Sequence, residues 1–201
     1  MKSITITAAA ALAVGVAAMT SCSQADKVSG QWQGTPERIM VADAADATST
    51  MYMDFGPRSH GKPGEVVLNS VVEVSQAVVG PVYGASSPYQ ANITASAQIS
   101  GTYVTEADDE LILSLDPSTY TVTVDPDGVV YTSNIVDGME RPVLDSLTAT
   151  TAERWKVIIT STMRDRFNQY RKIDDVKVHH GDIMSCEVAD RDMTFRRVAQ
   201  D

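Results

Sequence analysis

The chain has 201 residues, of which 43% are hydrophobic, 21% charged and 6% aromatic. This is the composition of a globular protein with one substantial core, and it excludes a disordered, collagen-like or large two-domain chain. Lys+Arg 16 against Asp+Glu 26 leave a net charge of −10, which offers no footprint for nucleic acid, a ligand held by basic patches.

Lys2 is the only charged residue before Asp26, and residues 4–19 form an alanine-rich apolar run. An early cation, a short apolar stretch and small residues after it read as a secretory signal peptide. The run falls short of the ~20 apolar residues of a bilayer span. At its end, Met19-Thr20-Ser21-Cys22 resembles the lipobox of bacterial lipoproteins. The resemblance implies cleavage before Cys22, a thioether-linked diacylglyceryl group and an N-acyl chain. Two or more acyl chains anchor stably, whereas one binds only marginally. The expected organisation is a signal peptide over 1–21, a lipidated tether over 22–27 and a folded domain over 28–201. The tether holds one acid, Asp26, and so lacks the acidic run of some surface-exported lipoproteins. The expected place is the cell envelope, lipid-anchored at the outer membrane and facing the periplasm. Lipidation leaves Cys186, the other of the two cysteines, without an intrachain partner; a Cys22–Cys186 bridge is the alternative. Cys186 itself reads as an inert core thiol.

Strands dominate the folded domain. Met51, Met53 and Phe55 share one parity, and so do Val66, Leu68, Val72, Val74 and Val78. Strands this long twist and coil or close, with Ser70 and Gly101 as expected bending points. Glycine and proline mark loops over 56–64 and 80–88. Ile93, Ala95, Ala97, Ile99, Gly101 and Tyr103 alternate with polar residues, the period-two pattern of a half-buried strand. Leu111, Leu113 and Leu115 continue that face after a polar loop over 106–110, then Tyr120, Val122 and Val124, then Val129 and Tyr131. Turns are expected at 116–119 and at Asp125-Pro126-Asp127-Gly128, the second as a hairpin rather than a calcium loop, because alternating ligands and a closing Glu are missing. Charge is uneven here. No Lys or Arg stands between Lys62 and Arg141, while 11 acids do. The plain reading is a solvated acidic face; the sharper one is a surface for cations or a cationic partner.

A helix is expected from a capping box at Thr150 and Glu153. Trp155, Ile159, Met163, Phe167 and Tyr170 form one apolar stripe, with Arg154, Arg164, Asp165, Arg166 and Arg171 off it. Packing of this stripe on the sheet is the expectation. Three short strands close the chain. Val176, Val178, Met184, Cys186, Val188, Met193, Phe195 and Arg197 share a face if the loop at His180-Gly181-Asp182 has three residues, with His179 and Arg196 pointing away.

Val28, Gly30-Gln31-Trp32 and Gly34 resemble the Gly-x-Trp opening of the lipocalin and calycin barrels. The resemblance implies an antiparallel meander closed into a barrel, with Trp32 at the closed end and an arginine of the last strand over it. Arg197 has the register for that role, and Arg196 is second. Two departures stand out: about ten strands are readable instead of eight, and the helix precedes three strands. A mainly β chain with one late amphipathic helix is thus expected, as a lipocalin-like barrel or, alternatively, a two-sheet sandwich.

The expected function is a lipid-tethered binding module for a small apolar or amphipathic molecule, in a cavity lined by Ile93, Ala95, Ala97, Ile99, Leu113 and Val122. Small residues on that face leave room for a ligand, or merely permit tight curvature. The alternative is an envelope interaction protein that meets protein or glycan through loops, Tyr52, Tyr83 and Tyr89 among them, and its acidic face. No enzyme is expected. The three histidines, His60, His179 and His180, have no carboxylate or second metal ligand at a useful spacing, and no nucleophile elbow, phosphate loop or paired-cysteine site is present. No cofactor or metal is expected, and the sequence names no protein partner.

Overall fold

A computed structural model describes residues 27–42, 44, 46–58, 62–79, 89–132 and 138–199. Cys22, His60, Tyr83 and the expected signal segment lie outside the described residues. The elements are β1 (Gly30–Gly34), β2 (Glu37–Arg38), β3 (Asp46–Phe55), β4 (Gly64–Val79), β5 (Tyr89–Ala107), β6 (Glu110–Leu115), β7 (Thr121–Tyr131), α1 (Arg141–Gln169), β8 (Lys172–His179), β9 (Ile183–Glu187) and β10 (Asp192–Arg197).

Eight of the ten strands close on themselves. The order is β1-β10-β9-β8-β6-β5-β4-β3, and β3 pairs back to β1 through Gly30↔Phe55 and Trp32↔Met53. All pairings are antiparallel, so the molecule is a closed eight-stranded barrel and the two-sheet alternative falls away. The two remaining strands extend the wall. β2 follows β1 along the edge of β3, and β7 follows β6 along the edge of β5.

Alternation decides what enters the core. Ala91, Ile93, Ala95, Ala97, Ile99 and Tyr103 of β5 are buried, and so are Met51, Met53 and Phe55 of β3. The intervening positions of β5 from Gln90 to Gln98 are exposed. β4 follows the same rule up to Val74, where Gln76 adopts φ 52° and the register slips between Val74 and Ala77. The bulge reverses the parity: Ala77 and Val79 are buried and Val78 is exposed, contrary to the expected single face. Ser70, expected as a bend, is instead a buried hydroxyl paired with Ser49 at 2.8 Å. At Gly101 the backbone of Ser114 and Leu115 comes so close that a Cβ would collide with the Ser114 carbonyl oxygen.

Two local expectations are corrected. Residues 125–128 do not form a hairpin. They bulge out of one continuous strand, since Val124 faces Ala95 and Val129 faces Ile93. The Asp-Pro-Asp-Gly chemistry serves a turn and a wide bulge alike; Asp125 Oδ1 accepts the Asp127 N–H at 2.9 Å. The turn at 116–119 is a 3-10 turn capped by Asp116, and it moves the chain along one edge of β5 instead of reversing it.

The helix begins at Arg141, nine residues before the expected cap, with Pro142 in its first turn. Proline is at ease there because it lacks an N–H that the helix could not use. Thr150 lies inside the helix and donates back to the Ser146 carbonyl at 2.8 Å. Trp155, Ile159, Met163, Phe167 and Tyr170 are buried as expected. The helix packs on β7 and β5. The outward residues of those strands are exposed, so it lies on their inner face and covers the barrel mouth. Tyr120 donates to the Thr160 carbonyl at 2.7 Å on one side. On the other, Arg166 is ion-paired with Glu37 of β2. Arg166 was expected off the stripe; it is buried because that carboxylate meets it there.

Candidate functional site

The base of the barrel is built around Trp32. Its ring is fully buried and its Nε1–H donates to the Val28 carbonyl at 2.5 Å. Arg197, directly opposite in β10, lays its guanidinium 4.2 Å from the ring centroid. A contact of this kind contributes ~0.5–2 kcal/mol according to its desolvation. The same guanidinium donates to the carbonyls of Lys27, Ser29 and Gly181. It thereby ties the start of the domain and the β8–β9 turn to the last strand. Gly30 makes this possible. Its φ is +113°, and a Cβ there would sit 2.5 Å from the Arg197 Nη1. This end is a structural plug, with no free polar group of Trp32 left for chemistry.

The opposite end carries the candidate site. Near Leu115 the wall is thin: β6 pairs with β8 only at Leu111 and Ile112, and the Leu113 N–H donates to the Arg171 carbonyl at 2.8 Å. β7 diverges along β5, and α1 fills the resulting seam. There a cleft of about 370 Å³ opens between the sheet and the last turns of the helix. Ile99, Leu115, Pro117, Tyr120 and Phe167 give it an apolar floor and wall. Arg164, Asn168 and Arg171 stand on the helix side.

The wall is held from several directions. Tyr120 meets Phe167 edge-to-face with centroids 6.0 Å apart, and the Arg164 guanidinium lies 5.4 Å from the Tyr120 centroid. Burial, offset by nearby Arg164, pushes the Tyr120 hydroxyl up to about 12, so it stays protonated as the donor to Thr160. Asp116 at the rim is committed to its own turn, and its bonds from Ser118 hold its carboxyl below the usual range. Among the described residues neither Arg164 nor Arg171 has a carboxylate partner, whereas Arg38, Lys156, Arg166, Lys172, Lys177 and Arg191 each do.

The six expected cavity residues are all buried in one core cluster: Ile93, Ala95, Ala97, Ile99, Leu113 and Val122. The structure brings Ile99 to the cleft. The small side chains of β5 lie on the buried face of a strand against which α1 packs. Arg164, Arg171, Tyr120 and Phe167 are legible as types but not as a site, because the helix end lies more than 40 residues beyond Tyr120 in the sequence. His179 is exposed, 3.1 Å from the Ser185 hydroxyl, and His180 lies in the β8–β9 turn at φ 52°. Burial pushes the Cys186 thiol up to about 12, which leaves it protonated at neutral pH. Comparison with known proteins gives no family model that matches this chain and no curated protein that matches its sequence.

Proposed function

We propose that the chain is a lipid-anchored envelope protein of lipocalin-like build, a binding module and not an enzyme, which holds a small amphipathic molecule at the helix-covered mouth of its barrel. The observation that carries this reading is the cleft at the helix seam, where an apolar floor meets polar and charged groups on one side only. Ligand sites in barrels lie at such mouths and combine apolar lining with a few placed polar groups. The signal segment and Cys22 support the anchor, with the outer membrane facing the periplasm as the proposed place.

Two measurements test the reading. Native mass spectrometry of the protein purified from its own host should show a bound small molecule; a co-purifying protein with an empty barrel would favour the interaction alternative. Intact-mass analysis of the same material should show a chain that starts at Cys22 and carries acyl groups. An unmodified thiol there would remove the anchor and leave the binding reading to stand alone.

A further inference from the structure

Resting on that reading, we propose that the cleft selects its ligand by charge. It takes a single-chain amphiphile with an anionic head, the head on Arg164 and Arg171 and the tail on Leu115, Pro117 and Tyr120. Leu115 and Tyr120 on the wall are half-buried, with Ile99 and Phe167 packed behind them, while both arginines are exposed at the rim. A ligand that enters must therefore point its chain inward and its head toward the helix.

The sign of the head follows from where the cations are. The sheet side of the cleft comes from a stretch, residues 63–140, that contains no Lys or Arg at all. The helix side supplies two guanidinium groups without carboxylate partners among the described residues. Arg164 is already placed, over the Tyr120 ring, and Arg171 follows the helix end, where its own carbonyl is bonded to Leu113. The neighbouring acids are Asp116, engaged by Ser118, and Asp165, which is exposed. A positive rim on a protein of net charge −10 attracts an anion that the rest of the surface repels. Guanidinium groups suit carboxylate and phosphate because their planar N–H forks match those oxygens. The volume sets the length: at the ~30 Å³ of a water in the liquid, the cleft holds on the order of ten non-hydrogen atoms. A chain of about ten carbons thus fills it, with the head at the rim.

The test is calorimetric titration of the full chain with decanoate, decyl phosphate, decanol and decyltrimethylammonium, each below its micelle concentration. Both anions should bind at least about tenfold tighter than the alcohol, and the cation should not bind measurably. Either order of the two anions supports the proposal, and that order distinguishes a fatty-acid carboxylate from a phosphate-headed lipid fragment. Arg164→Gln and Arg171→Gln should each lower anion affinity about tenfold and decanol affinity by much less, so that the preference for anions over decanol narrows. Decanol binding as tightly as decanoate, or anion affinities unmoved in the double variant, would overturn the charge selection while the binding reading survives. No binding of any of the four would overturn both.

Discussion

Trp32 illustrates how one side chain organises an end of the barrel. It fills the base, donates its one N–H to Val28, and offers its face to Arg197. Trp32→Ala should destabilise the domain by ~3–5 kcal/mol, the cost of a large cavity in a packed core, read as a lower urea midpoint. Gly30→Ala should cost ~2 kcal/mol, part from forcing an L-residue to positive φ and part from displacing the Arg197 guanidinium. A double-mutant cycle with Arg197→Met separates these parts; the cost of Gly30→Ala should shrink in the Arg197→Met background, and an unchanged cost would assign all of it to the backbone. The Trp32–Arg197 pairing was legible because alternation through Met193 and Phe195 fixes the face on which Arg197 lies. The three carbonyls that Arg197 gathers were not, since they come from positions as much as 170 residues away. The burial of Arg166 is hidden in the sequence for a related reason. An arginine beside an apolar stripe reads as solvated unless its partner is known, and Glu37 is 129 residues upstream.

At the level of elements, the alternating strands could be read from sequence and their joints could not. Bulges at Gln76 and at residues 125–128 use the same residue types as loops, and only the pairing tells them apart. The helix was found by its stripe, but its first two turns have no such stripe, so the Thr150 box looked like a beginning. The buried stripe holds this helix on the sheet, and a small set of polar ties fixes its C-terminal end. Glu37 receives Arg166 and lies 3.8 Å from Arg191, and Arg191 in turn donates to Gln169 at 3.0 Å. Glu37→Gln leaves the Arg166 charge buried without compensation. Because the Glu37 side chain is 24% exposed, the expected loss is somewhat below the usual figure for a buried pair, about 2–3 kcal/mol. Hydrogen exchange should show it first, as faster exchange in the last turns of α1 with β3–β5 protected as before. Uniform acceleration across the sheet would mean that the helix and barrel open only together.

For the molecule as a whole, closure joins β1 to β10, and the acceptable alternatives narrow only there: the same alternation suits a sandwich, and nothing local in the sequence reports the β1–β3 pairing that shuts the cylinder. Closure also buries groups that water would otherwise let ionise. The Cys186 thiol is pushed up to about 12, the Tyr120 hydroxyl to about 12, and Tyr170 also rises through burial. In each case the unfolded chain releases its proton at lower pH than the folded one. These three groups therefore leave stability unchanged below the ordinary thiol value of ~8.5 and lower it as pH rises toward 12. Melting temperatures across that range should decline, and Cys186→Ala should flatten the first part, between about 8.5 and 10, where the tyrosines do not yet contribute. A wild-type curve that is flat to pH 11 would show that these groups stay in contact with solvent.

The carbonyls held by Arg197 also set a direction. Lys27 is pinned to the Trp32 end, so the described fold begins at the floor of the cylinder and not at the rim where α1 lies. Five peptide units separate Lys27 from Cys22 and reach at most about 18 Å. With Cys22 in a leaflet, as proposed, the barrel would be moored by its closed end, and the cleft would lie at the end away from that mooring. Cargo would then arrive from solution or from another protein's hand, with the lipid below serving only as footing.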